Sequence, residues 1–101
     1  MKAAIRSLAY HLPERVLTTE SLSAEFPDWR VEKIRAKTGI DRRHIAAEDE
    51  CASDLAVAAA QKLFAAGPVG PEDVDYLLLC TQSPDDLLPT TACLVQDQLG
   101  L

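Results

Sequence analysis

Three cysteines, two histidines and four glycines leave this 101-residue chain little with which to build a reactive centre. Cys51, Cys80 and Cys93 are widely spaced, no C-x-x-C pair occurs, and His11 and His44 lie far apart in sequence. That pattern argues against a zinc site or any other metal centre. The thiols read as reduced cysteines of a cytoplasmic protein, with Cys80 closing an apolar strand. The glycines never cluster into a loop able to cradle phosphate. Residues Met1 to Arg6 lack an apolar signal core, and no apolar run approaches ~18 residues, so neither secretion nor a membrane span is expected. A net charge of −6 argues against general nucleic-acid binding, because neutralising phosphates needs a basic footprint. There are no internal repeats and no low-complexity segments.

What is present looks globular. Hydrophobic residues make up 48% and charged residues 26%, ordinary values for a folded chain of one modest domain or part of a larger one. One stretch departs from the acidic average. Arg30, Lys33, Arg35, Lys37, Arg42 and Arg43 face only Glu32 and Asp41 between positions 30 and 43. Such a stretch is either a plain solvated face or a dock for an anionic group such as a phosphate.

The residue pattern predicts an α/β fold. Ala3 to Ala9 reads as a first strand. Thr18 and Thr19 cap a short helix carrying Leu22 and Phe26 on one face, stopped by Pro27. Asp28 offers a second cap for a helix with Val31 and Ile34 inward, ending near Thr38 and Gly39. Ile40 to Ala47 is expected to be extended or turning. The strongest element is a helix over Ala52 to Ala66, with Leu55, Ala59 and Leu63 in one stripe and Ala56, Ala60 and Phe64 in another. Its cap is expected at Asp49 or Ser53, its end at Gly67 and Pro68, and its alanine-rich surface predicts deep burial. After a turn over Gly70 to Asp73, the continuous apolar run Val74 to Cys80 predicts a strand covered on both faces. A loop over Ser83 to Asp86 leads to a last helix from Pro89 to Thr91 onward, with Ala92, Val95 and Leu99 on one side. Two strands cannot make a stable open sheet alone, so this architecture reads as incomplete.

Chemistry is hard to assemble from these parts. Cys51 lies beside Asp49 and Glu50, whose carboxylates disfavour a thiolate. Cys93 stands in a first helical turn, but no histidine follows it to act as base. His44 follows the cationic Arg43, which disfavours imidazolium and points to a structural role. Asp85 and Asp86 lack further ligands for a metal and read as a loop tip. No catalytic residue is expected in this chain.

Several blocks together carry a resemblance. They are Leu12–Pro13–Glu14, the run Lys37–Thr38–Gly39–Ile40 continued by Arg43–His44–Ile45–Ala46, the strand Leu77–Thr81, and Leu88–Pro89 followed by Ala92–Cys93, Gln96 and Leu99–Gly100. In this order they resemble the N-terminal part of β-ketoacyl-ACP synthase III, a condensing enzyme of the thiolase superfamily, over essentially all 101 residues. The resemblance implies a layered α/β/α thiolase-like fold, of which residues 1–101 are an N-terminal portion of the first half. It also implies a decarboxylating Claisen condensation of an acyl-CoA or acyl-carrier donor with malonyl-ACP, in fatty-acid or related biosynthesis. The family's nucleophilic cysteine would fall beyond Leu101, and its histidine and asparagine lie in the second half. The catalytic regions are thus expected to be absent here, and Cys93 matches a structural cysteine.

For the basic stretch, the resemblance implies the entrance to the pantetheine tunnel. Lys33 stands where the family stacks a tryptophan on adenine, and Lys37 where an arginine meets the nucleotide. Trp29, the only tryptophan, is expected one helical turn before Lys33 on the same face. Lysines act as point charges and lack both fork and stacking plane, so an acyl carrier protein suits the patch better than free coenzyme A. Leu88 takes the position whose side chain crosses a homodimer interface to close the partner's acyl pocket, or makes a simple interface contact. Acyl-CoA would be a substrate rather than a cofactor, and no membrane or nucleic acid is implied. A second class of function stays open: a non-catalytic segment that docks a carrier protein or pairs with a synthase.

Overall fold

The computed structural model describes residues 2–101, which divide into two compact units. Leu12–Asp49 forms a hairpin unit; residues 2–11 with Glu50–Leu101 form a helical unit.

In the hairpin unit, strand β1 (Arg15–Thr18) pairs antiparallel with strand β2 (Arg42–Ile45), Arg15 opposite Ile45 and Thr18 opposite Arg42. The pairing confirms that the segment after Gly39 is extended. Helix α1 (Thr19–Glu25) starts directly from β1, and the Thr18 hydroxyl accepts the Ser21 N–H at 3.1 Å. This is the capping expected of that threonine pair. Helix α2 (Val31–Thr38) ends at Gly39, whose φ of 65° is left-handed and whose N–H bonds to Arg35 O at 2.8 Å. Asp28 does not cap α2. A turn closed by Trp29 N–H to Phe26 O at 2.9 Å occupies Asp28, so the helix begins later, from an extended Arg30 without a side-chain cap bond.

Thr19 pins the unit together. It is fully buried, its N–H reaches Asp41 O at 3.0 Å, and its hydroxyl donates to Ile40 O at 2.9 Å. The first turn of α1 is thereby fixed to the residues that lead into β2. His44 adds a second tie, with Nδ1 2.6 Å from Pro13 O, in keeping with a structural role.

The helical unit is built on helix α3 (Ala52–Ala66), whose limits match the periodicity, packed against helix α4 (Thr91–Leu99). Its cap is neither Asp49 nor Ser53. Cys51 takes the capping position, and Asp54 reaches back to the Cys51 N–H at 2.8 Å. Ser53 lies two residues past the cap, inside the first turn, and is buried against Asp85. The expected deep burial of α3 is also not found. Ser53 and Val57 are its buried residues, and both apolar stripes are only half-covered. On α4 the expected face holds, with Val95 buried and Ala92 and Leu99 half-buried.

The two remaining strands expected from sequence are not formed. Neither residues 2–11 nor 74–80 pair in a ladder among the described residues. A strand exists only when its backbone groups find a lateral partner, and neither segment has one. Their side chains still alternate. Leu77 and Leu79 are half-buried, while Tyr76 and Leu78 are about four-fifths exposed (82% and 81%). The apolar run is therefore covered on one side instead of two. A short 3-10 turn, Pro71–Asp73, precedes it at the predicted turn.

Candidate functional site

The hairpin unit carries a cavity of about 430 Å³ bordered by the apolar Leu22, Trp29 and Ile34, the cations Arg30, Lys33, Lys37 and Arg43, and Asp28 and Thr38. Its shape follows from the local fold. Lys33 and Lys37 are four apart on α2 and so share a helix face. Trp29 is not on that helix, as the sequence suggested, but in the turn before it. The turn presents its ring against Phe26, with centroids 5.0 Å apart and planes 26° from parallel. A hydrogen bond from the Ser23 hydroxyl to Trp29 O fixes the turn to α1. The cavity therefore has an apolar lining of indole, Leu22 and Ile34, beside four residues that carry positive charge and one carboxylate, Asp28.

Not every cation of the stretch is available. The Arg35 guanidinium bonds to both Asp41 and Glu20. The Asp41 bond, then the Glu20 charge, raises the Arg35 pKa, while Glu20 is held below its usual range by its own backbone N–H and by Arg35. Arg35 is thus a structural cation. Arg43 has a different partner: its Nη1 donates to the buried Thr19 hydroxyl at 3.3 Å, and the residue is among those that border the cavity. From its place in the fixed block after Gly39, Arg43 is expected to serve structure more than ligand, and the Thr19 bond is such a structural tie. Thr19, in a polar stretch next to a capping threonine, gave no sign of its burial.

Trp29, Lys33 and Lys37 thus come together in one place. Leu88 belongs to the other unit, in the loop before α4, and is 82% exposed behind a cis Leu88–Pro89 peptide. Cys80 and Cys93 are exposed thiols, and Cys93 Sγ lies 3.4 Å from the Thr90 hydroxyl. His11 stands 3.2 Å from Lys62 Nζ and 3.9 Å from Glu50, within the helical unit. Among the described residues no group of three His, Cys, Asp or Glu is placed to hold a metal ion, and no helix is long and apolar enough to cross a membrane.

The helical unit holds a cluster that the sequence did not reveal. Asp85 accepts from the Ser53 N–H at 3.1 Å and from the Ser53 hydroxyl, and its own N–H donates to the Thr91 hydroxyl at 3.0 Å. The Ser53 hydroxyl, then the backbone and Thr91 bonds, holds the Asp85 carboxyl below its usual range. Asp85 is a clasp between the first turns of α3 and α4. The expected loop is there, but this residue is tied rather than a free tip. A second cavity, about 480 Å³ and bordered by Ile5, Arg6, Leu63, Val69 and Asp73, is larger than the first but gathers no comparable set of like charges.

The chain matches no family model. It is 43% identical over 100 residues to a beta-ketoacyl-[acyl-carrier-protein] synthase III of Bacillus pumilus, covering 99% of this chain and 32% of that protein. A protein of the same name from Xylella fastidiosa is 46% identical over 98 residues, covering 97% of this chain and 30% of the relative. Among solved structures, a 3-oxoacyl-(acyl-carrier-protein) synthase III aligns with a TM-score of 0.86 and 57% identity over 97% of this chain and 29% of its own. The beta-ketoacyl-[acyl carrier protein] synthase III of Thermus thermophilus gives 0.87 and 42% over 98% and 30%. The chain spans about a third of the length of the curated relatives it matches. Over nearly its whole length this chain matches beta-ketoacyl-[acyl-carrier-protein] synthase III in sequence and in thiolase-like α/β fold, and corresponds to about 30% of such a protein.

Proposed function

We propose that this chain serves as the N-terminal segment of a type III β-ketoacyl-ACP synthase, an acyltransferase that condenses an acyl donor with malonyl-ACP by decarboxylating Claisen chemistry. One observation carries the reading: Trp29, Lys33 and Lys37 border a single cavity, with apolar and cationic walls side by side. That pairing suits a phosphopantetheine arm, whose anionic head and largely uncharged chain need different surroundings. The cationic rim also suits an acidic carrier protein, which long-range attraction would steer to it. Acyl-CoA is a substrate in this reading and no cofactor is required. A homodimer places the exposed Leu88 at the acyl pocket of the partner subunit.

In this reading the nucleophilic cysteine and its histidine and asparagine partners are those of the complete synthase, so covalent acyl transfer needs residues supplied by further polypeptide. The test has two arms. A protein containing this segment and the remaining two thirds of a synthase should form labelled β-ketoacyl-ACP from acyl donor and malonyl-ACP. The 101-residue chain alone should take up no radiolabelled acyl group from acyl-CoA. Absence of carbon–carbon bond formation in the first arm, or stoichiometric thioester labelling in the second, refutes the reading.

A further inference from the structure

The cations around the Trp29 cavity differ in how firmly they are held. Arg30, Lys33 and Lys37 are exposed, the lysines ending in flexible ammonium groups, and Asp28 brings a carboxylate to the same cavity. Arg35 is spent on Glu20 and Asp41. Arg43 is half-buried on strand β2, and one of its guanidinium nitrogens is bound at 3.3 Å to a hydroxyl that is itself fixed. That hydroxyl, on the fully buried Thr19, points its hydrogen at Ile40 O, 2.9 Å away, and so offers a lone pair to Arg43. A hydroxyl has one donor and two acceptor sites, whereas a guanidinium carries five donors. The remaining Arg43 donors make no other hydrogen bond to the described residues, and Arg43 is among the residues that border the cavity.

We propose that Arg43, held in place by Thr19, is the residue that reads a phosphoryl group in this cavity, with Lys33 and Lys37 supplying diffuse attraction around it. The inference rests on the pantetheine-entrance reading above and goes further, assigning specificity to a residue outside α2. A planar guanidinium pinned at one nitrogen loses little freedom when its other edge meets two phosphoryl oxygens. The shared ligand chemistry is a phosphate ester. It can come from the nucleotide end of coenzyme A or from the phosphodiester that joins pantetheine to a carrier protein.

Trp29 is the only tryptophan of the chain and lines the cavity, so its fluorescence reports binding directly. The full chain is titrated with 4′-phosphopantetheine, pantetheine, adenosine 3′,5′-bisphosphate and a phosphopantetheinylated carrier protein. Arg43→Gln should weaken 4′-phosphopantetheine about tenfold and leave pantetheine unchanged. Arg43→Lys keeps the charge without the fork and should recover only part of the loss. Thr19→Ser should bind as the parent does, while Thr19→Val should fall toward Arg43→Gln. That pair keeps the question answerable if Arg43→Gln fails to fold, with circular dichroism as the check on folding. Sensitivity of the bisphosphate to Arg43 assigns the nucleotide phosphates; sensitivity of only the phosphopantetheine probes assigns the arm. Equal weakening of pantetheine and 4′-phosphopantetheine, or full recovery by Arg43→Lys, overturns the assignment. A parent chain that responds to none of the four probes overturns the entrance reading itself, and the role of Arg43 with it.

Discussion

The hairpin unit closes on itself, and the helical unit does not. Between Leu12 and Asp49, both strands are paired, Thr18 caps α1, Gly39 ends α2 and Thr19 binds the two ends of the segment together. In the rest of the chain two extended segments find no ladder among the described residues, and Val57 and Val95 are buried on α3 and α4 while Ile5, Leu8, Tyr76 and Leu78 stay exposed. Charge divides in the same way. Lys2, Arg6 and Lys62 are the only lysines or arginines outside the hairpin unit, against acidic residues from Glu50 to Asp97. The contrast shows that local closure and completeness are separate properties. A unit can be finished around a cavity while its neighbour in sequence still presents unpaired segments and exposed apolar side chains.

The largest effect should come from the open surface of the helical unit. Ile5, Leu8, Tyr76 and Leu78 are exposed on segments whose backbone groups lack strand partners. Bare apolar surface beside unpaired backbone promotes association, so the isolated chain should self-associate at micromolar concentration. Sedimentation should show oligomers, and Tyr76→Lys with Leu78→Lys should shift them strongly toward monomer. A sharp, reversible, monomeric melt of the parent chain in dilute solution would break the comparison.

A smaller effect should separate the units by pH. The folded-state pKa of Asp85 lies below its unfolded value, so the unfolded chain binds the proton more readily. The clasp therefore contributes fully above the unfolded value of about 4 and is lost as pH falls below it through the folded value. Glu20 behaves alike in the hairpin unit, where its own backbone N–H and then Arg35 lower its pKa. Asp85→Asn should flatten the acid dependence of amide exchange in α3 and α4 alone, and Glu20→Gln that in α1 and α2 alone. Identical acid profiles for both variants in both units would show that the units are not independent in this respect.

How much of this was legible depends on whether the information was local. Helix α3 could be read to its end residues because apolar periodicity and the Gly67–Pro68 stop lie within the helix and beside it. Thr18 and Gly39 were equally clear, since capping needs only neighbouring residues. The runs 3–9 and 74–80 have strand-like composition, but a ladder is a relation between distant segments. Asp28 failed as a cap because a turn through Phe26 and Trp29 shifted the start of α2, which spacing alone does not fix. At the site, Lys33 and Lys37 were singled out by the family resemblance, and helical spacing gave only their shared face. Neither route brought Arg43 and Thr19 together, since they meet only through the pairing of β1 with β2.

The smallest expected effect concerns the lysines. Exposed charges each contribute on the order of 1 kcal/mol or less, and salt weakens them. Lys33→Glu with Lys37→Glu should slow reaction with a carrier protein several-fold at low salt, in the complete synthase, and leave the folding of the hairpin unit intact. Carrier kinetics that ignore both substitutions at every ionic strength would reduce the patch to a solvated face.

Gly39 sets a condition on chirality. A side chain added there would meet no atom within 4 Å, yet φ is +65°. The position therefore disfavours L-residues by handedness and not by lack of room, since the left-handed region costs them roughly 1 kcal/mol or more. A mirror-image alanine would sit there at ease, and would stiffen the corner from which β2 and its arginine set out.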